Sequence, residues 1–277
     1  MMKINKQFYV LIATTIASCF VPACSSDDDE SPAREKGNEK RLEMIVYTNS
    51  EGRVKYSDLF YYDDITGAIK RATRGDEQNV RFNISDNSIT WYDDDITNTA
   101  KIVDGKAVHW VKKWSSGTPT DYYVSYDDRW HINQVDVPDY NESVFTLTWE
   151  GNNIKKFVKT SHGRKSYEIE YEYTKNKAHA LAYHSYFNPF TEMDFLDCLF
   201  ENGLFYTGAC GQLSENLPSQ AIFHTYWYEK KQSYTRTYSY IMDSEGYPVS
   251  VEIDGEREVT YYDSPVKMSI TWGQSKN

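Results

Sequence analysis

Six histidines are the obvious candidates for metal ligands or acid–base groups, and their spacing argues against a site. They stand at positions 109, 131, 162, 179, 184 and 224. None belongs to the His-Glu-x-x-His pattern that places two imidazoles on one helix face. His179 and His184 are five residues apart in a segment predicted to be a strand, which puts them on opposite faces. We therefore expect no metal and no cofactor.

Carboxylates are numerous, but no catalytic pattern emerges from them. Asp93–Asn98, followed by Asp104, partly matches a calcium loop, yet it lacks the Gly at the sixth position and the bidentate Glu at the twelfth. A solvated turn is the better interpretation. The chain has neither a Gly-x-Ser-x-Gly elbow nor a Gly-rich phosphate loop. We predict no catalytic residues and keep a glycoside-processing enzyme as an alternative, since its two acids can be recognised only in the fold.

Tryptophans are the stronger candidates for ligand contacts. Trp110, Trp114 and Trp130 fall in a stretch rich in Trp and Tyr. Adjacent aromatic residues on a strand face opposite sides of the sheet, so some of them must meet solvent. Exposed rings beside Asp and Asn suit stacking against sugars. The alternative is that these rings pack the two faces of a twisted sheet.

Two cysteines, Cys198 and Cys210, lie outside the N-terminal segment that carries the other two. An even pair in an exported protein favours a disulfide, with two buried free thiols as the alternative.

The N-terminus has the features of an export signal. Lys3 and Lys6 precede an apolar run that is too short to span a bilayer as a mature helix. Val21-Pro22-Ala23-Cys24 then resembles the lipobox of bacterial lipoproteins, which implies a signal peptide over residues 1–23 and a lipid on Cys24, so that the membrane is a partner through this lipid. Residues 24–41 are predicted to form an acidic tether to a single β domain over residues 42–277.

The residues directly after Cys24 are Ser25, Ser26, Asp27, Asp28, Asp29 and Glu30. This run resembles the surface-export signal of lipoproteins from the Bacteroidetes, which implies the outer leaflet of the outer membrane. A solvated linker is the alternative.

The charge of the chain argues against nucleic acid as a partner. Loss of residues 1–23 removes two lysines and no acid, so the formal net charge changes from −11 to −13. Such a charge repels a polyanion and keeps an exposed protein soluble.

Beyond the tether, apolar residues alternate with polar ones, and turn residues recur every few positions. The 24 tyrosines add to the preference for strands. We predict an all-β fold, a long antiparallel meander of about 14 to 16 strands that forms a curved or barrel-like sheet. Three segments share the form of an aromatic strand, an acidic turn and a second strand: Tyr61–Ile69, Tyr126–Ile132 and Tyr240–Val249. The repeating unit is therefore a hairpin.

One helical pattern interrupts the strands. Asn188 is predicted to cap a helix over Pro189–Asn202, and Gly203 is predicted to end it. A lone apolar helix in a β meander is expected to plug one mouth of the curved sheet.

The C-terminal third carries a resemblance to a family. Gly203-Leu204-Phe205, Leu213–Ser219 and Tyr238–Val249 are similar to a family of Bacteroidetes lipoproteins of unknown function with a porin-like fold. The resemblance implies this fold and an address at the cell envelope, and it transfers no catalytic residue. The cysteine pair and the Trp-rich stretch depart from the family's pattern.

Three functions follow as hypotheses: a non-catalytic binding module for a glycan or another extracellular ligand, a structural or interaction subunit that binds an envelope protein, and a glycoside-processing enzyme. The first is preferred. A barrel that spans the membrane is disfavoured by a mean hydropathy of −0.69 and by charges in many strands.

Overall fold

The computed structural model describes residues 40–75, 78–93, 95–184, 186–189, 203–211, 213–227, 230–255 and 266–274. These residues form a closed antiparallel barrel of sixteen strands, in which each strand pairs with its neighbours in the chain and β1 pairs with β16. The predicted all-β, barrel-like meander is confirmed. The strands are β1 Arg41–Thr48, β2 Val54–Tyr62, β3 Ile69–Arg74, β4 Gln78–Ser85, β5 Ser88–Tyr92, β6 Ile96–Val103, β7 Lys106–Trp114, β8 Thr120–Tyr126, β9 Ile132–Val137, β10 Ser143–Glu150, β11 Asn153–Ser161, β12 Arg164–Lys177, β13 Asn216–Trp227, β14 Lys230–Met242, β15 Pro248–Asp254 and β16 Val266–Gly273.

The two ends of the barrel differ in their connections. We call the end at which Arg41 begins β1 the proximal end, and the opposite end the distal end. Because neighbouring strands are antiparallel, every odd-numbered strand starts at the proximal end and every even-numbered strand finishes there. The long connection between β12 and β13 therefore lies at the proximal end, as do both termini of the barrel.

Alternation along the strands separates an apolar interior from a polar outer wall. In β6, Ile96, Asn98, Ala100 and Ile102 are buried, whereas Thr97, Thr99, Lys101 and Val103 are exposed. Successive side chains of a strand point to opposite faces, so the buried set lines the interior. The same alternation places Phe145 and Leu147 of β10 inside and Thr146 and Thr148 outside.

A repeated hydrogen bond accounts for many of the aromatic residues. Near the proximal end of six even-numbered strands, a Tyr or Trp donates from its polar tip to a backbone carbonyl near the start of the preceding strand. We call these bonds aromatic clasps. They join Tyr62 to Leu42 (2.9 Å), Tyr126 to Ala107 (2.8 Å), Trp149 to Ile132 (2.8 Å), Tyr173 to Ile154 (2.8 Å), Tyr240 to Pro218 (2.7 Å) and Trp272 to Pro248 (2.7 Å).

The clasps form where the ladder of each hairpin has ended. Pairing of β7 with β8, for example, runs from Lys112 to His109, and Ala107 lies beyond it. A carbonyl that the ladder does not use still needs a donor when water is excluded. The tip of Tyr126 supplies one. The same kind of bond recurs in six pairs of neighbouring strands.

Three proximal turns, which belong to the predicted repeat, share one Asp-centred geometry. The carboxylate of Asp63 accepts from the backbone N–H groups of Ile65 and Thr66. The carboxylates of Asp127 and Asp243 each accept from the backbone N–H groups two and four residues later. An Asp side chain that bonds the following backbone in this way fixes a tight turn, which is why the acidic residue recurs in the repeat.

The described parts of the connection between β12 and β13 lie inside the barrel. They contain a 3-10 helix, His179–Tyr183, and a short helix α1, Gly203–Tyr206. All four residues of α1 are buried, and the ring of Tyr206 lies 5.0 Å from that of Phe60 on the barrel wall. These described parts therefore pack against the inner face of the barrel wall. None of the described helices is long and apolar enough to cross a membrane.

The helix predicted over Pro189–Asn202 lies almost entirely outside the described residues. One of its predicted boundaries is wrong, the end at Gly203. The side-chain amide of Asn188 donates to the carbonyls of Tyr183 and His184, and the predicted cap stays a prediction because the residues that it would cap lie outside the described ones. Gly203 begins α1, and a Cβ there would lie 2.6 Å from Cδ1 of Trp91. Close packing against this tryptophan, and not termination of a helix, accounts for the glycine.

Candidate functional site

The most deeply buried polar cluster joins the barrel wall to the β12–β13 connection. Asp58 of β2 and Arg74 of β3 are cross-strand neighbours and form a two-pronged ion pair, with N–O distances of 2.7 and 2.8 Å. Tyr47 of β1 donates to Asp58 at 2.8 Å and also bonds Nε2 of His184. The backbone N–H of Tyr186 donates to Nδ1 of His184, so the ring proton belongs on Nε2.

The electrostatics of this cluster favour the ionised carboxylate. Burial by itself raises the pKa of Asp58, but the hydrogen bonds from Arg74, with a further contribution from the nearby His184, outweigh it and hold the pKa at about 2. Burial also raises the pKa of Tyr47, so the phenol stays protonated. Because Asp58, Arg74 and His184 are all at least 95% shielded from solvent, the arrangement holds the connection in place and is closed to a substrate.

A second polar cluster lies on the outer wall, across strands β11 to β13. Ligand atoms of Glu168, Glu170 and His224 lie within 4.8 Å of one another, a spacing that suits a metal ion. Two ammonium groups already lie there: Nζ of Lys156 is 2.7 Å from Glu170, and Nζ of Lys165 is 2.5 Å from Glu168. Their two charges balance the two carboxylates. We therefore interpret the cluster as an ion-pair network.

The pKa values in this network agree with that interpretation. Burial raises the pKa of Glu168, but the bond from Lys165 and the charge of Lys156 together bring it below its ordinary value. Burial lowers the pKa of His224, which favours the neutral ring. A neutral imidazole beside two ion pairs adds no unbalanced charge that would call for a cation.

A third feature combines aromatic and polar groups on the outer wall. Tyr123 lies in the middle of β8, directly opposite His109 of β7 and Asp136 of β9, so the three side chains share the outer face. The rings of His109 and Tyr123 stack with centroids 4.6 Å apart and planes 18° apart. Tyr123 is 47% exposed, so about half of this side chain meets solvent.

Polar side chains flank this ring along and across the strands. Nε2 of His109 is 2.7 Å from Oδ1 of Asp121, two residues before Tyr123 on the same face. The amide of Gln134 donates to both carboxylate oxygens of Asp136, at 2.9 and 3.0 Å. We call Tyr123, His109, Asp121, Asp136 and Gln134 the Tyr123 platform. It offers a flat ring between two carboxylates, with each neighbouring group held by a partner.

The structure does not bring the three predicted tryptophans together. Trp110 is buried inside the barrel and stacks on Tyr122, with centroids 4.6 Å apart. Trp114 ends β7 at the distal end and is 38% exposed. Trp130 lies in the proximal turn between β8 and β9, with Nζ of Lys106 4.9 Å from its ring centroid. Trp110 therefore packs the core, whereas the other two lie at opposite ends of the barrel.

Some of the remaining residues singled out in the sequence are described by the structure and others are not. Cys210 is buried, and burial raises the pKa of its thiol, whereas Cys198 lies outside the described residues. Cys24 and the run from Ser25 to Glu30 lie outside them as well. His179 and His184 were expected in a strand. His179 instead begins the 3-10 helix, and His184 directly follows it.

Comparison with solved structures decides the fold. No family model matches the chain, and no curated protein matches it. A porin-like protein from Bacteroides uniformis superposes with a TM-score of 0.62 at 14% identity, over 83% of this chain and 96% of that one. The fold is porin-like. A porin-like protein from Bacteroides vulgatus gives a TM-score of 0.57 at 14% identity, over 84% of this chain and 98% of that one.

The porin-like fold implied by the family resemblance is thus confirmed, while membership of the lipoprotein family stays a prediction. The interior cluster and the Tyr123 platform were both missed in the sequence. The alternation in β8 already placed Tyr123 opposite in direction to Tyr122, but the partners on β7 and β9 depend on register, which alternation along one strand does not specify.

Proposed function

We propose that this protein is a lipid-anchored protein of the outer membrane whose barrel stands in water and acts as a non-catalytic binding module for a glycan or another extracellular ligand. The observation that carries the proposal is the polarity of the wall. A barrel embedded in lipid presents an apolar band outward and encloses a polar interior. Here the buried alternate residues of β6 are mainly apolar and the outward ones mainly polar. A wall of this kind is suited to water and to ligands carried by water.

The anchor belongs to the same proposal. Lipid on Cys24 would hold the chain to the membrane, and the acidic run after it would direct the protein to the cell surface. The tether would join the barrel at the proximal end, where Nζ of Lys40 lies 2.8 Å from Asp243 and 2.9 Å from Glu245. The last residue before β1 is therefore fixed to the β14–β15 turn, which supports a defined point of attachment.

A second candidate function is that of an interaction subunit in an envelope complex. The observation that favours it is a set of exposed apolar residues near the proximal end. Ile65 is 95% exposed, Ile241 64% and Val103 41%. Apolar side chains on the rim of a barrel are suited to contact with another protein.

The test of the main proposal is affinity electrophoresis of the detergent-purified full protein through gels that contain single polysaccharides. Retardation by at least one glycan is the expected result. If no glycan retards the protein, the proposal that it binds glycans is wrong. Cross-linking on intact cells would then test the interaction subunit, for which one discrete cross-linked partner is expected.

The surface address has its own test. Replacement of Asp27, Asp28, Asp29 and Glu30 by Ala should leave the lipoprotein made and membrane-bound but protected from protease added to intact cells. The unchanged protein should be digested under the same conditions. If both are digested equally, the acidic run is only a linker.

A further inference from the structure

We propose that the Tyr123 platform is the ligand-binding site and that it selects uncharged glycans over polyanionic ones. The proposal rests on the proposed function of glycan binding and adds to it a location and a ligand class. Its starting observation is that a large aromatic ring, 47% exposed, lies in the middle of a strand of the outer wall.

The platform is rigid before any ligand arrives. Tyr123 is in a central part of the sheet, paired on both sides, and His109 stacks on one face of its ring. His109 is itself held by Asp121. A ring held in this way loses little conformational freedom when a ligand packs on its exposed part, which reduces the entropic cost of binding.

The groups around the ring match the hydroxyls of a sugar. A carboxylate accepts hydrogen bonds, and Asp121 and Asp136 lie on either side of Tyr123 on the same face. Asp121 is two residues along the strand, roughly 6.5 Å away, and Asp136 is directly across, with Cβ atoms about 5 Å apart. A sugar that packs on the ring therefore places its edge hydroxyls near acceptors on two sides, while the amide of Gln134 provides an N–H donor. Stacking and hydrogen bonding are available to one ligand at once.

Charge restricts the class of glycan. Asp121 and Asp136 face the ligand. The nearest described cation by strand register is Lys101 on β6, which lies across from His109 and is therefore two strands away from Tyr123. The mature chain also carries a formal charge of −13 after loss of the leader with its two lysines. A uronate or sulfate group would meet like charges at short range, whereas an uncharged hexose or pentose polymer would not.

The experiment is affinity electrophoresis of the detergent-purified full protein. Uncharged glycans (starch, xyloglucan, galactomannan and a β-glucan) are compared with polyanionic ones (polygalacturonate and chondroitin sulfate). The variants are Tyr123→Ala and, as a matched control, Tyr61→Ala, which removes another exposed outer-wall tyrosine. Far-UV circular dichroism checks that both variants fold.

Each outcome has a defined meaning. Retardation by an uncharged glycan, weakened about tenfold or more by Tyr123→Ala and unchanged by Tyr61→Ala, is the expected result. If Tyr123→Ala is retarded as strongly as the unchanged protein, the proposed site is wrong, but the proposal that the protein binds glycans is still supported. Retardation by polyanionic glycans alone overturns the ligand class. If no glycan binds at all, the proposed function itself has failed. Should Tyr123→Ala not fold, Asp121→Asn with Asp136→Asn replaces it and should reduce binding of the uncharged glycan.

Discussion

Asp58 shows how much one buried charge depends on its partners. It is fully shielded from solvent, and Arg74 meets it through two hydrogen bonds. Removal of one member of a buried ion pair leaves the other uncompensated. We therefore expect Arg74→Met to lower the free energy of unfolding by about 3–5 kcal/mol, measured by urea denaturation at neutral pH. A loss below about 1 kcal/mol, the range of surface ion pairs, would contradict this reading of the cluster.

The same carboxylate gives a prediction for acid. The pKa of Asp58 is about 2 in the folded protein, against an ordinary value of 3.8. A group whose pKa is lower in the folded state stabilises the fold above its unfolded pKa, and this contribution is lost as the pH falls through the folded pKa. The difference in unfolding free energy between the unchanged protein and Asp58→Asn should therefore shrink between about pH 4 and pH 2, in the window between the two pKa values. A difference that stays constant over this range would show that Asp58 does not titrate with folding.

Nothing in the sequence marks these residues. Asp58 and Arg74 are 16 positions apart, and each occurs in a segment that alternates like many others. They meet because β2 and β3 pair in one register, and the cluster is completed by His184 from a distant connection. Alternation indicates which side chains share a face of a strand, but it does not specify their neighbours on the next strand.

At the scale of elements, the aromatic clasps should contribute measurable stability. Tyr126 and Tyr240 each donate to a single carbonyl, of Ala107 and Pro218 respectively. Loss of such a bond leaves the carbonyl without this donor, so Tyr126→Phe and Tyr240→Phe should each cost about 1 kcal/mol. Urea denaturation measures the effect. Tyr61→Phe, at an exposed position, serves as the control and should be neutral. Equal stability of all three variants would show that the clasps contribute nothing net.

A pair of glycines in the β12–β13 connection offers a matched test of close packing. Gly208 and Gly211 both have positive φ, +80° and +73°. A Cβ at Gly208 would meet open space, whereas one at Gly211 would lie 2.2 Å from the carbonyl oxygen of Trp130. Gly208→Ala should cost about 1–2 kcal/mol through backbone strain, and Gly211→Ala should cost about 1–3 kcal/mol more. Thermal unfolding of both variants gives the comparison, and equal losses would contradict the tight contact.

The sequence was most informative about individual strands and turns. The alternation of apolar and polar residues predicted strands, and the described residues contain sixteen of them. The Asp-centred turns predicted hairpins because their residues bond their own backbone, a local effect that one segment contains in full. The connection between β12 and β13 was less predictable: Gly203 serves contact with Trp91, which is distant in the chain.

For the whole molecule, the polar outer wall predicts behaviour in detergent. The chain from Ser25 onward, made without its leader and therefore without lipid, should partition into the aqueous phase of a Triton X-114 separation, because its wall resembles that of a water-soluble protein. The full protein, with the lipid proposed for Cys24, should partition into the detergent phase. Entry of the lipid-free chain into the detergent phase would show that the barrel itself binds to membranes.

Closure of the barrel was predictable only in part. Sixteen consecutive antiparallel strands could equally curl into an open sheet, since each strand shows the same alternation in both cases. What closes the circle is the pairing of β1 with β16, from Arg41 opposite Gly273 to Thr48 opposite Lys267. These residues lie at opposite ends of the domain sequence, and no local pattern couples them.

That first-to-last pairing also sets how the fold can grow. Both ends of the barrel's chain lie side by side at the proximal end, and each clasped hairpin enters and leaves there. Insertion or loss of one hairpin would add or remove two strands and leave both ends where they were. The circumference of such a barrel can therefore change in steps of two strands without moving the tether. Because residues 41 and 273 are paired neighbours, a short linker should be able to join residue 274 to residue 41. The chain can then be cut at a distal turn, which becomes the position of the new termini.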